Sequence, residues 1–162
     1  MLTEYSLDLG AAVDYARKWA YGRSPVYADF THMGGDCTNF ISQCIFAAGA
    51  VMNFTPDTGW YYISLNDRSA AWTGVEYFSK FILTNRGAGP FGILIPIEQA
   101  AVGDVIQLGN RTGYYHTLII VSIKDGEIFT AAHTRDVFGA PLSSYNFTEV
   151  RCLRIRKARK YE

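Results

Sequence analysis

The chain has 162 residues, 49% of them hydrophobic and 15% aromatic, with fifteen basic and fifteen acidic side chains and no formal net charge. That composition supports one domain with a substantial core and excludes a disordered chain. No apolar stretch approaches the ~20 residues of a membrane span, and three cysteines, an odd count, do not make a disulfide framework.

Charge is unevenly placed. Six of the basic residues (Arg151, Arg154, Arg156, Lys157, Arg159 and Lys160) fall in the last twelve positions, so an acidic body carries a basic end. A basic tail can attract an anionic polymer. Here Leu153 and Ile155 alternate with Arg154 and Arg156, which reads instead as a final strand with a solvated face. The aromatics are not interleaved with basic residues, so no nucleic-acid partner is expected. Met1 to Gly10 holds two acids, no base and no apolar run, so no export signal is legible. Localisation is left open between the cytoplasm and, if a leader precedes the chain, the cell exterior.

In chain order, Ser6 is a fair N-cap for a first helix whose apolar stripe is Val13, Ala16, Trp19 and Ala20, with Gly22 as its stop. A turn-rich loop from Arg23 to Asp29 leads to Gly34-Gly35-Asp36-Cys37-Thr38-Asn39-Phe40. There Asp36 can cap, and Phe40, Ile41, Cys44, Ile45 and Ala48 recur at helical spacing. This second helix is expected to run to about Ala48, with Gly49 as its C-terminal glycine. A third is expected from about Trp72 to Leu83, and Gly87 to Pro96 reads as a loop.

Strands follow at 105–108, 116–123, 127–134 and 149–155, with Lys124-Asp125-Gly126 as a hairpin turn. Helices first and antiparallel strands after predict a single α+β domain over residues 1–162.

Cys37 falls in the first turn of its helix. The unpaired amides and dipole there should lower a thiol's pKa, so Cys37 is the candidate nucleophile. Cys37 and Cys44 would be about 10.5 Å apart along one helix, too far to bridge. Cys44 and Cys152 read as small buried hydrophobes.

A thiol nucleophile works with a base, and histidine suits that role. His116 opens an apolar strand. Hairpin counting about Asp125 places residue 133 or 134 beside it, so His133 is the expected orienting partner, with Asp136 in reserve. His32 reads as a loop residue. The cysteines and histidines lack the short ligand spacings of zinc sites, and no phosphate-cradling glycine loop is present, so no metal or cofactor is expected.

The segments Ala16-Arg17-Lys18-Trp19-Ala20, Tyr27-Ala28-Asp29-Phe30, Gly35-Asp36-Cys37-Thr38-Asn39-Phe40-Ile41-Ser42-Gln43-Cys44, Gly103-Asp104-Val105-Ile106-Gln107, His116-Thr117-Leu118-Ile119-Ile120 and His133-Thr134 resemble the putative amidase-domain family. That family is similar to the papain-like NlpC and CHAP cysteine hydrolases. The resemblance implies a papain-like fold, N-terminal helices packed on a C-terminal antiparallel sheet. It also implies Cys37 as nucleophile after an aspartate, His116 as base and a polar third residue, the position of His133. It further implies that Tyr27 directs its hydroxyl at the reacting carbonyl, although the same residue reads equally as a loop aromatic.

The expected activity is thiol-dependent cleavage of an amide or peptide bond, cell-wall peptide among the candidate substrates, by a monomer. An acyltransferase with the same nucleophile and a non-catalytic peptide- or wall-binding module are the alternatives. Trp60, Tyr61, Tyr62 and Trp72 read as core or as a groove lining.

Overall fold

The computed structural model describes residues 1–162. Strand β1 (Leu2–Ser6) leads into helix α1 (Leu9–Trp19). Ser6 belongs to the sheet, and the helix is capped by Asp8, whose Oδ1 accepts from the Ala11 N–H at 3.0 Å. Helix α2 (Cys37–Ala47) buries its first nine residues and ends at Ala48. Gly49 follows in the left-handed region (φ 104°) that a residue without Cβ adopts at low cost. Strands β2 (Tyr62–Ser64) and β3 (Asp67–Arg68) form a short hairpin.

The segment expected as one helix over 72–83 is two, α3 (Ala70–Thr73) and α4 (Val75–Thr84). The break is Gly74, whose backbone is extended (φ −106°, ψ 132°) and which ends one helix and precedes the next. The expected loop at 87–96 is largely strand β4 (Gly89–Ile95). Its glycines and proline hide any period-two pattern. It is held by pairing with the last strand, from Gly89↔Arg159 to Ile95↔Cys152, a long-range pairing that local propensity does not register.

Five more strands complete the sheet: β5 (Val105–Asn110), β6 (Gly113–Lys124), β7 (Glu127–Ala132), β8 (Val137–Pro141) and β9 (Glu149–Tyr161). The turn between β6 and β7 puts Asp125 (φ 52°) and Gly126 (φ 78°) in the left-handed region, as a two-residue hairpin with right-handed strand twist requires. All pairings are antiparallel, in the order β1-β9-β5-β6-β7-β8, with β4 also on β9. The result is an α+β domain. No helix is long and apolar enough to cross a membrane.

Both sheet faces are covered. Val105, Ile119, Val121, Leu153 and Ile155 meet Phe40, Ile41 and Cys44 of α2 and Val13 and Ala16 of α1. On the other face Ile106, Leu108, Leu118, Ile120 and Cys152 pack under Ile97, Tyr145 and Phe147. Trp60 and Trp72 are fully buried with ring centroids 4.5 Å apart, and Tyr62 is buried, whereas Tyr61 is only partly covered. The tryptophans are therefore core and not a groove.

The basic end is spent largely within the molecule. Arg154 donates from Nη2 to the buried Asp104 at 2.9 Å, Arg151 pairs with Glu76 at 2.8 Å, and Arg159 lies 3.8 Å from Glu4.

Candidate active site

Helix α2 opens directly on Cys37, and the strand beneath it is β6. The Ile120 N–H donates to Asp104 on the β5 side, so by alternation the Thr117 N–H points the other way, toward β7. Pairing of β6 with β7 ends at Ile119↔Ala131, which leaves that side of Thr117 open. The Cys37 thiol fills the gap, with the Thr117 backbone N–H and the Thr38 hydroxyl, 3.8 Å away, as its polar neighbours. Thr38 and Thr117 share a hydroxyl hydrogen bond of 2.9 Å that fixes helix against strand.

His116 is the residue immediately before Thr117. Its register partner is Leu108, and it shares the face of Leu118 and Ile120, so its ring leaves the sheet on the side away from α2. There it lies 5.6 Å from the Tyr145 ring. The structure thus brings Cys37 to within one peptide unit of His116 along the chain but forms no hydrogen bond between the two side chains.

Burial and Arg135 push the His116 imidazole down to about 4, so it is neutral near pH 7. Burial also raises the Cys37 thiol above its ordinary value, more than the Thr117 and Thr38 hydrogen bonds lower it. This corrects the expectation from the helix start: the terminal dipole is present, but a thiol only 6% exposed is dominated by desolvation. Both shifts favour the neutral pair, so the proton stays on Cys37 and is not passed to His116 while the thiol is buried.

A pH effect follows from His116. Its folded pKa lies below that of an exposed imidazole, so the unfolded chain takes up the proton first as pH falls. The His116 contribution to stability is therefore complete above about pH 6.5, is lost progressively down to about pH 4, and changes no further below that. The full loss is on the order of 3 kcal/mol. Denaturant melts of wild type and His116→Gln between pH 7 and 4.5 check it, with the variant expected to lack this portion of the slope.

His133 is placed differently from the expectation. Strand β7 ends at Ala132, so the hairpin ladder never reaches the position opposite His116. The ring is 1% exposed, with Nδ1 2.6 Å from Asp36 Oδ2 and Nε2 2.8 Å from the Trp19 carbonyl, and it stacks on Phe40 at 3.9 Å. Both nitrogens are occupied, and neither orients His116. Asp136, held in reserve, is bound by Arg23 through bonds of 2.9 and 3.0 Å.

Asp36 precedes α2 but its side chain does not cap it. One carboxylate oxygen instead accepts from the Phe30 N–H at 2.8 Å and the Asn39 amide at 2.9 Å, while the other meets His133. Arg23 Nε stands 3.5 Å from Asp36 and 3.2 Å from Asp29, close enough for attraction but at angles that make no hydrogen bond. Asp36, His133 and Arg23 thus anchor the entry to α2, and no side chain caps its first-turn amides. Sequence reasoning gave Arg23 no role. Its only signal there was an arginine in a loop that also carries Asp29.

Tyr27 packs on Tyr62 and Trp72 with centroids 5.1 and 6.0 Å away, and its hydroxyl bonds to no protein group. His32 is exposed in a turn. A surface pocket of about 450 Å³ lies elsewhere, between Thr84, Arg86 and Phe91, and Cys37 does not line it.

An α+β domain with a cysteine at a buried helix start, against a strand that carries His116 as its fourth residue and not, as expected, at its opening, defines a candidate hydrolase site. Residues 6–155 match the putative amidase domain, and the chain belongs to that family. It is also 34% identical over 129 residues to a Bacillus subtilis (strain 168) protein named "Uncharacterized protein YhbB", a match covering 76% of this chain. The match spans 40% of that relative's length. No solved structure matches. Family membership points to amide hydrolysis as the general class of reaction.

Proposed function

We propose that the protein is a thiol-dependent amidase of the papain-like type, with Cys37 as nucleophile and His116 as general base and acid. The observation that supports this most is the juxtaposition of Cys37, in the first turn of α2, with the Thr117 amide that directly follows His116.

In the reaction, the Cys37 sulfur attacks the amide carbonyl carbon and its proton passes to a His116 ring nitrogen. The uncapped first-turn amide of Cys37, together with the Tyr27 hydroxyl, holds the oxyanion. Collapse breaks the C–N bond, and His116 returns the proton to the leaving amine. Water then attacks the thioester, giving a carboxylic acid and the free thiol. For the first step the His116 ring must turn from Tyr145 toward Cys37 until the two reach hydrogen-bond distance, since catalytic hydrogen bonds are often formed only once substrate is bound. Peptide amides, cell-wall peptides among them, are the proposed substrates.

The buried, protonated state of Cys37 favours a second reading, a binding module that has kept the fold. Product analysis separates these. Incubation with a peptidoglycan-peptide digest is expected to release free acid and amine in equal amounts. Added hydroxylamine should divert part of the acyl group to a hydroxamate, as a thioester intermediate allows. Diversion of nearly all acyl groups, with negligible hydrolysis in water, would instead identify an acyltransferase. No product from any of the peptides would leave the binding module.

A further inference from the structure

We propose that Arg135, seated on the Tyr145 ring beside His116, binds a substrate carboxylate, so that the site takes amides bearing a free carboxylate close to the bond to be cut. This rests on the reading of Cys37 and His116 as the reacting pair. Arg135 lies in the turn between β7 and β8, just after Thr134, which takes a left-handed backbone (φ 82°). Its guanidinium carbon is 4.9 Å from the Tyr145 ring centroid, and that ring is 5.6 Å from His116. The Tyr145 hydroxyl is buried, with the Thr130 side chain beside it, so the ring is turned inward and offers its face to Arg135.

The anions that could neutralise Arg135 are already engaged. Asp136, next in sequence, is bound by Arg23, and Asp36 by His133, Phe30 and Asn39. Arg135 itself makes no ion pair and no side-chain hydrogen bond, unlike Arg23, Arg151 and Arg154. An arginine left free beside a candidate base opposes catalysis while the site is empty, since its charge disfavours a protonated His116. A carboxylate seated on its planar fork would cancel that charge, and the same binding event would strengthen the base. A role confined to stacking on Tyr145 predicts neither effect.

The test uses the full chain carrying Cys37→Ala, so that turnover plays no part, and follows the His116 ring by NMR. N-acetylglycine is the carboxylate probe and N-acetylglycinamide its neutral counterpart. N-acetylglycine should shift the His116 resonances saturably and raise the pH at which the ring titrates, and the amide should do neither. Adding Arg135→Gln should weaken the carboxylate response at least tenfold and raise the His116 titration in the absence of probe. Arg135→Lys should retain most of the response. Equal responses to the two probes, or an undiminished response in a folded Arg135→Gln protein, would overturn the proposal. Because the measurement needs no chemistry at Cys37, that outcome would leave the catalytic pair standing, whereas persistent turnover in Cys37→Ala would remove the pair and leave this result untouched.

Discussion

Cys37→Ala is expected to lower amide turnover at least 1000-fold while the protein still folds. The reaction has no other route to a thioester, because Cys44 and Cys152 are sealed in the two halves of the core, 0% and 1% exposed. The structural cost should be small. The sulfur bridges helix and strand weakly, through a 3.8 Å contact with Thr38 and the Thr117 amide, while the Thr38–Thr117 bond beside it remains. Cys44→Ala should show the opposite split. It removes a sulfur from the main core and costs about 1 kcal/mol of stability, with kcat essentially unchanged. Turnover assays paired with denaturant melts of both variants read the two effects separately. Comparable activity in wild type and Cys37→Ala would remove the nucleophile assignment.

Asp36→Ala should be the most destabilising substitution near the site. The carboxylate is 1% exposed and holds the Phe30 N–H, the Asn39 amide and His133 at once. Removing it leaves three buried polar groups without their partner and Arg23 without one of its anions. A loss of about 3–5 kcal/mol is expected, which lowers Tm by roughly 10 °C in a domain of this size. Asp36→Asn keeps one acceptor for the Phe30 N–H and should lose about half as much. A change below 1 kcal/mol in Asp36→Ala would mean that Asp36 does not carry the entry to α2.

What the sequence disclosed follows from which interactions are local. Helix α2 and the Asp125-Gly126 turn are set by short-range rules, namely apolar spacing, a terminal glycine and residues tolerant of positive φ, and both lie where those rules place them. Strands β4 and β8 and the first strand β1 were not legible. Each is held by a partner strand, and β4, with Gly89, Pro90 and Gly92, carries no strand pattern of its own.

The candidate site divides in the same way. Cys37 and His116 stand out locally, one at a helix start and one at the head of an apolar run, although the strand itself begins three residues earlier, at Gly113. The position of His133 required the hairpin to continue two residues further than it does. The chain instead turns at Thr134, whose hydroxyl accepts from the Asp36 N–H at 3.0 Å, and His133 passes to Asp36. The direction of the Cys37 pKa was also out of reach, since a helix start is visible in sequence whereas burial by distant segments is not.

In the proposed mechanism Cys37 carries the acyl group. Acid-quenched intact-mass spectrometry of the protein mixed with a cleavable peptide tests it most directly. A transient adduct of the acyl mass is expected, mapped to the peptide containing Cys37, removed by hydroxylamine and absent from Cys37→Ala. Product formation with no adduct at any time, or with an adduct on a different residue, would contradict it.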